Sequence, residues 1–313
     1  MKGLISMNSE LIKNKIYIAG CGGMLGEAFY KQFTDDYELK CTDIDINAEW
    51  LSYLDFRNYE AYWKDVSEFA PNWIFHLGAY TNLEYCELNQ EDTSATNTES
   101  VKHAVKIANK LNIPILYIST AGIFDGKKAF YDESDHPNPI GCYAKSKYLG
   151  EKYVQEKAKK YLICRAGWMM GGGFLKDKKF IQKLMEKIRN GTKELFIVND
   201  KLGTPTYTHD FANNVKLLIE KRKAGLFNMV CDGLTGRLEV AKELVGLLGL
   251  NNNIRIIEVS SEYFVKEYFA ARPNNERLIN KRLNDAGLNI MRDWKVALHD
   301  YVHEYYSEYI TSS

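Results

Sequence analysis

Short apolar runs alternate with stretches of helical spacing through the first half of the chain. Residues 16–19 form an apolar run that passes straight into glycine, residues 27–33 carry helical spacing, and residues 38–42 read as a second strand ending at Asp43. Apolar residues recurring at three- and four-residue intervals share a helix face, whereas an unbroken apolar run of about four to eight residues suits a strand covered on both faces. By that criterion 59–70, 98–111 and 140–160 are helices, and 73–77, 115–119 and 161–165 are buried strands. Such alternation predicts an α/β fold, a Rossmann-type doubly wound parallel sheet with ligands at the carboxyl ends of its strands. No internal repeat or low-complexity linker divides the chain. A smaller C-terminal substrate-binding lobe is therefore expected to be interleaved with the sheet.

The first strand runs into Gly20, Gly23 and Gly26, a Gly-x-x-Gly-x-x-Gly loop that includes Met24 and Leu25. Glycine lets the backbone turn sharply and approach a pyrophosphate, and the amides that open the next helix supply donors. Asp43 stands where an acidic side chain accepts hydrogen bonds from the adenosine ribose. Strand, loop, helix, strand and acid in this order predict a dinucleotide site. The expected division is an N-terminal extension over 1–14, an NAD(P)-binding domain over 15–165 plus about 195–225, and a substrate-binding lobe over about 166–194 and 226–313.

Tyr143 and Lys147 lie four residues apart within Gly141-Cys142-Tyr143-Ala144-Lys145-Ser146-Lys147, so on a helix they share a face. A lysine ammonium beside a phenol stabilises phenolate and is expected to draw the tyrosine pKa below its usual value near 10. Tyr143 is thereby a candidate proton donor. The spacing alone also fits an exposed amphipathic helix.

Composition narrows the partners. The chain has 313 residues, is 45% hydrophobic, and carries 41 basic against 41 acidic side chains. A net charge of zero offers no electrostatic footprint for nucleic acid or an anionic membrane. Lys221, Arg222 and Lys223 read as the solvated end of a helix. The six cysteines lack the paired spacing of zinc or redox sites, so no metal is expected and the thiols read as reduced, in a cytoplasmic protein. Residues 1–14 read as a polar extension without a signal-peptide core, and no apolar run approaches a membrane span. A homodimer is compatible with the sequence, which does not specify oligomeric state.

Over nearly its whole length the chain resembles the extended short-chain dehydrogenases/reductases, closest to the dTDP-4-dehydrorhamnose reductase group. The resemblance is carried by the glycine loop, by Ser119-Thr120-Ala121-Gly122-Ile123-Phe124, by Gly141 to Glu151, and by Gly203-Thr204-Pro205 and Arg272-Pro273-Asn274-Asn275-Glu276-Arg277. It implies an NAD(P)H-dependent reductase of a nucleotide-linked 4-keto-6-deoxy sugar, serving surface polysaccharide or deoxysugar biosynthesis. Thr120 then orients the substrate oxygen, Tyr143 is the acid/base, Lys147 also holds the nicotinamide ribose, and Asn97 supports the lysine. Asp55 and Phe56 fall at the adenine, while Leu77, Gly78, Ala79, Tyr80 and Ala166 line the rest of the cofactor. Thr81, Ala121, Trp168 and Arg272 face substrate, Arg272 as a diphosphate ligand. Of Lys176, Lys178 and Lys179, one is a further diphosphate candidate and the others read as solvated. His76 and His209 are assigned to packing and capping.

Two features depart from the group. Ala121 and Gly122 replace the aspartate and tyrosine usual after the threonine, which is expected to leave room beside the sugar. Ala121 also argues against the dehydratase branch, which needs an acidic pair there, and against a 3,5-epimerase/reductase, which needs a cysteine. An NAD-retaining epimerase of the same superfamily, and a non-catalytic subunit like that regulating methionine adenosyltransferase, remain as alternatives. The cofactor is NAD(H) or NADP(H), with Asp43 favouring NADH.

Overall fold

A computed structural model describes residues 14–310. The N-terminal extension, up to residue 13, lies outside the described residues. Seven strands, β1 (Asn14–Ala19), β2 (Tyr37–Asp43), β3 (Leu51–Tyr53), β4 (Trp73–His76), β5 (Ile115–Thr120), β6 (Tyr161–Ala166) and β7 (Gly225–Asn228), form one sheet. Its order is β7-β6-β5-β4-β1-β2-β3, and every neighbouring pair is parallel. This is the doubly wound sheet expected from the alternation. The strand order reverses between β1 and β4, and the crevice outside their carboxyl ends is where such sheets bind ligands.

Successive strand residues point to opposite faces, and the core divides accordingly. Tyr17, Ile74, Ile115 and Tyr117 pack with Tyr62 and Val66 of α2 (Tyr59–Phe69) and Val101 and Val105 of α3 (Ser100–Leu111). Ile16, Ile18, Phe75 and Leu116 pack on the other face with Phe29 and Phe33 of α1 (Met24–Phe33). The predicted helix 140–160 is the shorter α4 (Cys142–Lys157), flanked by extended backbone at Gly141 and Ala158. Asn58 caps α2 by accepting from the Ala61 amide, and Asp55 just before it pairs with Arg57. The start of the helix predicted from 98 is replaced by a π-helical turn, Ala95–Glu99, that feeds α3.

Beyond Ala166 the chain leaves the sheet. Trp168–Met170 pairs with Pro205–Tyr207, and Leu202–Gly203 pairs with Thr235–Gly236. Glu194–Val198 pairs with Arg255–Val259, so it stands outside the central sheet, to which the chain returns through α5 (Thr208–Glu220) and β7. The core holding Ile16 and Phe29 extends without a break to Leu184, Leu195, Leu238, Leu298 and Tyr301. Among the described residues no helix is long and apolar enough to cross a membrane. Among them, too, no His, Cys, Asp and Glu cluster is placed to hold a metal ion.

Candidate active site

The glycine loop closes the end of β1. Gly20 has φ +77°, in the left-handed region that favours glycine, and a Cβ there would lie 2.2 Å from Gly78 Cα. The β1 and β4 ends therefore touch backbone to backbone at the strand-order reversal. Gly26 lets α1 seat on the loop, since a Cβ would lie 2.0 Å from the Cys21 carbonyl oxygen. Gly23, followed by Met24 and Leu25, is the N-cap of α1 without a side-chain cap, and a Cβ there would meet nothing within 4 Å. An uncapped helix N-terminus above bare backbone fits a dinucleotide diphosphate.

The Asp43 carboxylate accepts from the Gly22 amide at 2.8 Å and the Asp45 amide at 3.0 Å. Leu77 and Gly78 both donate to the Ala19 carbonyl, and the Phe56 ring lies directly against Gly78. Of the three clustered lysines, Lys178 is exposed. Lys176 Nζ instead donates to the Gly22 carbonyl at 3.2 Å and Asn47 Oδ1 at 3.1 Å, and Lys179 Nζ to Thr81 Oγ1 at 2.7 Å. Lys176 thus reaches the glycine loop, and Lys179 reaches Thr81, a residue expected to face substrate.

The proton-transfer residues meet on α4 and at the end of β5. Gly150 lets α4 lie tightly on the sheet, because a Cβ there would come 2.6 Å from the Tyr117 hydroxyl, which donates to the Lys147 carbonyl at 2.9 Å. Thr120 is paired in register with Ala166, and its hydroxyl accepts from the Gly122 amide at 3.1 Å. Its own proton is then free to bond the Tyr143 hydroxyl, an interaction that lowers the Tyr143 pKa. Burial nevertheless outweighs it and pushes the phenol above its ordinary value. The expected depression by Lys147 is therefore not found. Lys147 is itself buried, which pushes its ammonium down to about 7 against the opposing pull of Glu151. The phenol is thereby kept protonated, as a proton donor must be before the reaction.

Asn97 lies in the π-helical turn and is fully buried. Its Oδ1 accepts from the Tyr80 amide at 2.8 Å, and its Nδ2 donates to the Tyr80 carbonyl and to Ser146 Oγ, both at 3.0 Å. Ser146 Oγ in turn donates to the Tyr143 carbonyl at 2.8 Å. Asn97 therefore clamps the 78–80 loop to the catalytic helix. His76 bonds Ser100 Oγ at 3.0 Å and burial lowers its pKa to about 3, while His209 bonds the Tyr305 hydroxyl. Neither faces the Tyr143 hydroxyl through a hydrogen bond.

On the side expected to face substrate, the Trp168 ring packs on Gly203, where a Cβ would come within 2.2 Å, and Arg237 Cζ lies 3.8 Å from the ring centroid. Its indole N–H donates to Glu276 Oε2 at 2.7 Å. Burial lowers the Arg237 pKa to about 10 and raises that of Glu276, which Trp168, Arg237, Arg272 and Lys201 pull back down. Glu276 and Arg237 were not singled out from the sequence. The room expected beside Ala121 and Gly122 is occupied by Glu276, whose Oε1 lies 3.1 Å from the Cβ position that Gly122 lacks. Arg272 forms an ion pair with Glu84 at the same mouth.

The RmlD substrate binding domain family matches residues 14–307 of the chain. A spore coat polysaccharide biosynthesis protein, SpsK, of Bacillus subtilis (strain 168) is 26% identical over 292 residues, 93% of this chain and 97% of that protein. The crystal structure of a dTDP-4-dehydrorhamnose reductase from Clostridium acetobutylicum has a TM-score of 0.83 at 30% identity, covering 93% of this chain and 99% of that one. A dTDP-4-dehydrorhamnose reductase from Bacillus anthracis, crystallised in complex with NADP, has a TM-score of 0.85 at 26% identity with the same coverage.

Proposed function

Since the chain belongs to the RmlD substrate binding domain family, we propose that it is an NAD(P)H-dependent reductase of a nucleotide-linked 4-keto-6-deoxy sugar in polysaccharide or deoxysugar biosynthesis. The observation that carries this reading is the meeting of the Thr120 hydroxyl, at the carboxyl end of β5, with the Tyr143 hydroxyl of α4, the helix on which Lys147 is buried one turn further on. Gly20, Gly23, Met24, Leu25, Gly26, Leu77, Gly78, Ala79, Tyr80 and Ala166 would hold the dinucleotide, with Asp55 and Phe56 toward its adenine. When bound, it supplies the hydride to the carbonyl carbon.

The protein's own residues perform the rest. Thr120 donates a hydrogen bond to the substrate carbonyl, and Tyr143 gives its proton to the oxygen as negative charge develops there. Lys147 holds the ribose and steadies the phenolate left behind. Asn97 acts as a positioning residue through Tyr80 and Ser146. Thr81, Ala121 and Trp168 line the sugar, and Arg272 takes the diphosphate. Asp43 disfavours a 2′-phosphate, so NADH is preferred over NADPH; tighter binding of NADPH in a fluorescence titration would overturn that order. A cytoplasmic location and a homodimer complete the proposal.

Tyr143→Phe is expected to lose about 10²- to 10⁴-fold in kcat while retaining the wild-type affinity for the reduced cofactor. Turnover is read as loss of nicotinamide absorbance with nucleotide 4-keto sugars. A mutant as fast as the wild type would refute the assignment.

A further inference from the structure

The turn after β5 holds a carboxylate that ketone reduction does not require. The point at which a side chain at Gly122 would begin lies 3.1 Å from Glu276 Oε1 and 3.5 Å from Thr120 Oγ1. Two oxygens therefore converge on one spot, one of them the hydroxyl that orients the carbonyl. Glu276 Oε2 is occupied by the Trp168 indole at 2.7 Å, whereas Oε1 accepts no hydrogen bond among the described residues.

The segment that presents this carboxylate, residues 275–277, is fixed at three points. The Glu276 amide donates to the Leu202 carbonyl at 2.8 Å, the Asn275 side chain to the carbonyls of Lys128 and Ala129 at 2.8 and 2.9 Å, and Arg277 Nε to the Thr235 carbonyl at 2.9 Å. Trp168, which donates to the other carboxylate oxygen, is itself packed against Gly203 and Arg237. Arg237, Arg272 and Lys201 favour the ionised carboxylate against its burial. An acceptor held this firmly beside the reacting centre is preorganised for a donor on the substrate.

We propose that Glu276 is a specificity-determining residue, whose Oε1 accepts a hydrogen bond from a hydroxyl on the sugar carbon next to the reacting carbonyl. The neighbouring position is chosen because Oε1 and the Thr120 hydroxyl lie 3.1 and 3.5 Å from one point, so a sugar whose carbonyl oxygen sits on Thr120 would bring a substituent of an adjacent ring carbon to Oε1. The assignment rests on the reductase reading. Its consequence is selection of sugars that keep this hydroxyl over those deoxygenated there, because a deoxygenated sugar covers the carboxylate oxygen without offering it a donor.

The test compares kcat/KM of the wild type, Glu276→Gln and Glu276→Ala on two nucleotide 4-keto sugars that differ only in the presence of that hydroxyl. The wild type is expected to favour the hydroxylated sugar by at least about 10²-fold. Glu276→Ala should reduce that preference to about 10-fold or less, with the loss falling on the hydroxylated sugar, and Glu276→Gln, whose one amide oxygen stays on the Trp168 indole, should present its NH2 to the hydroxyl oxygen and retain an intermediate preference. Fluorescence titration with the reduced cofactor establishes that each variant is folded. An undiminished preference in Glu276→Ala, or an equal loss on both sugars, overturns the assignment while leaving the reductase reading intact. A wild type that reduces neither sugar overturns the reductase reading and this assignment with it.

Discussion

Lys147 shows how enclosure sets the chemistry of a single side chain. Its spacing from Tyr143 predicts two groups on one helix face, and that placement is found, but the direction of influence is not the one the spacing implies. Desolvation acts on both groups, raising the phenol and lowering the ammonium to about 7. A lysine whose folded pKa lies below its unfolded value binds fewer protons when folded, so stability rises with pH between about 7 and 10.5. The contribution approaches about 1.4 kcal/mol per pH unit inside that window. Urea unfolding at pH 7, 8 and 9 should therefore show the wild type gaining stability relative to Lys147→Met. A difference that stays constant with pH would mean that Lys147 is solvated. Thr120, Tyr143 and Lys147 were legible because each sits in a contiguous run of recognisable residues; Glu276 and Arg237 were not, because their meaning depends on Trp168 and Gly122 far away in the chain.

At the scale of elements, the boundaries that periodicity misplaced are the ones that the site controls. Residues 100–111 show a helical pattern and form α3, yet the turn before it is π-helical, an insertion that turns Asn97 toward Tyr80 and Ser146. Such wide turns are often found at functional sites, and nothing in the local pattern announces them. Removing the clamp leaves the part-buried amide of Tyr80 without its partner and its carbonyl with only the Cys86 thiol. Asn97→Ala is expected to lose about 1–3 kcal/mol of stability in urea titration, from the unpaired amide it leaves. It should also weaken cofactor binding measured by fluorescence, whereas unchanged affinity would confine Asn97 to a structural role. The glycine loop is the opposite case, since the strand, the left-handed Gly20 and the helix opening at Gly23 follow one another directly.

Across the whole molecule, sheet and lobe share one apolar core. Leu298, fully buried on the Trp294–Tyr306 helix of the lobe, belongs to the same cluster as Ile16 and Phe29 of the sheet. The buried ion pair of Arg165 and Glu151, with bonds of 2.6 and 3.0 Å, ties β6 to α4 beneath Lys147. Two lobes built on a common core should unfold as one cooperative unit. Leu298→Ala is predicted to cost about 2–5 kcal/mol and to shift unfolding followed by tryptophan fluorescence and by loss of cofactor binding to the same extent. Separation of the two transitions would mean that the lobe melts independently of the cofactor-binding sheet.

The sequence by itself determined the alternation of strands and helices, the glycine loop with its acid, and the tyrosine and lysine on one helix face. Each of these is written in a short stretch of chain, where spacing alone decides which side chains share a face. Only the tertiary structure decided the lowered pKa of Lys147, the approach of Lys176 to Gly22 and of Lys179 to Thr81, and the gathering of Trp168, Arg237 and Glu276 around Gly122. Desolvation and long-range contact arise from how distant segments enclose one another, and no local pattern carries that information.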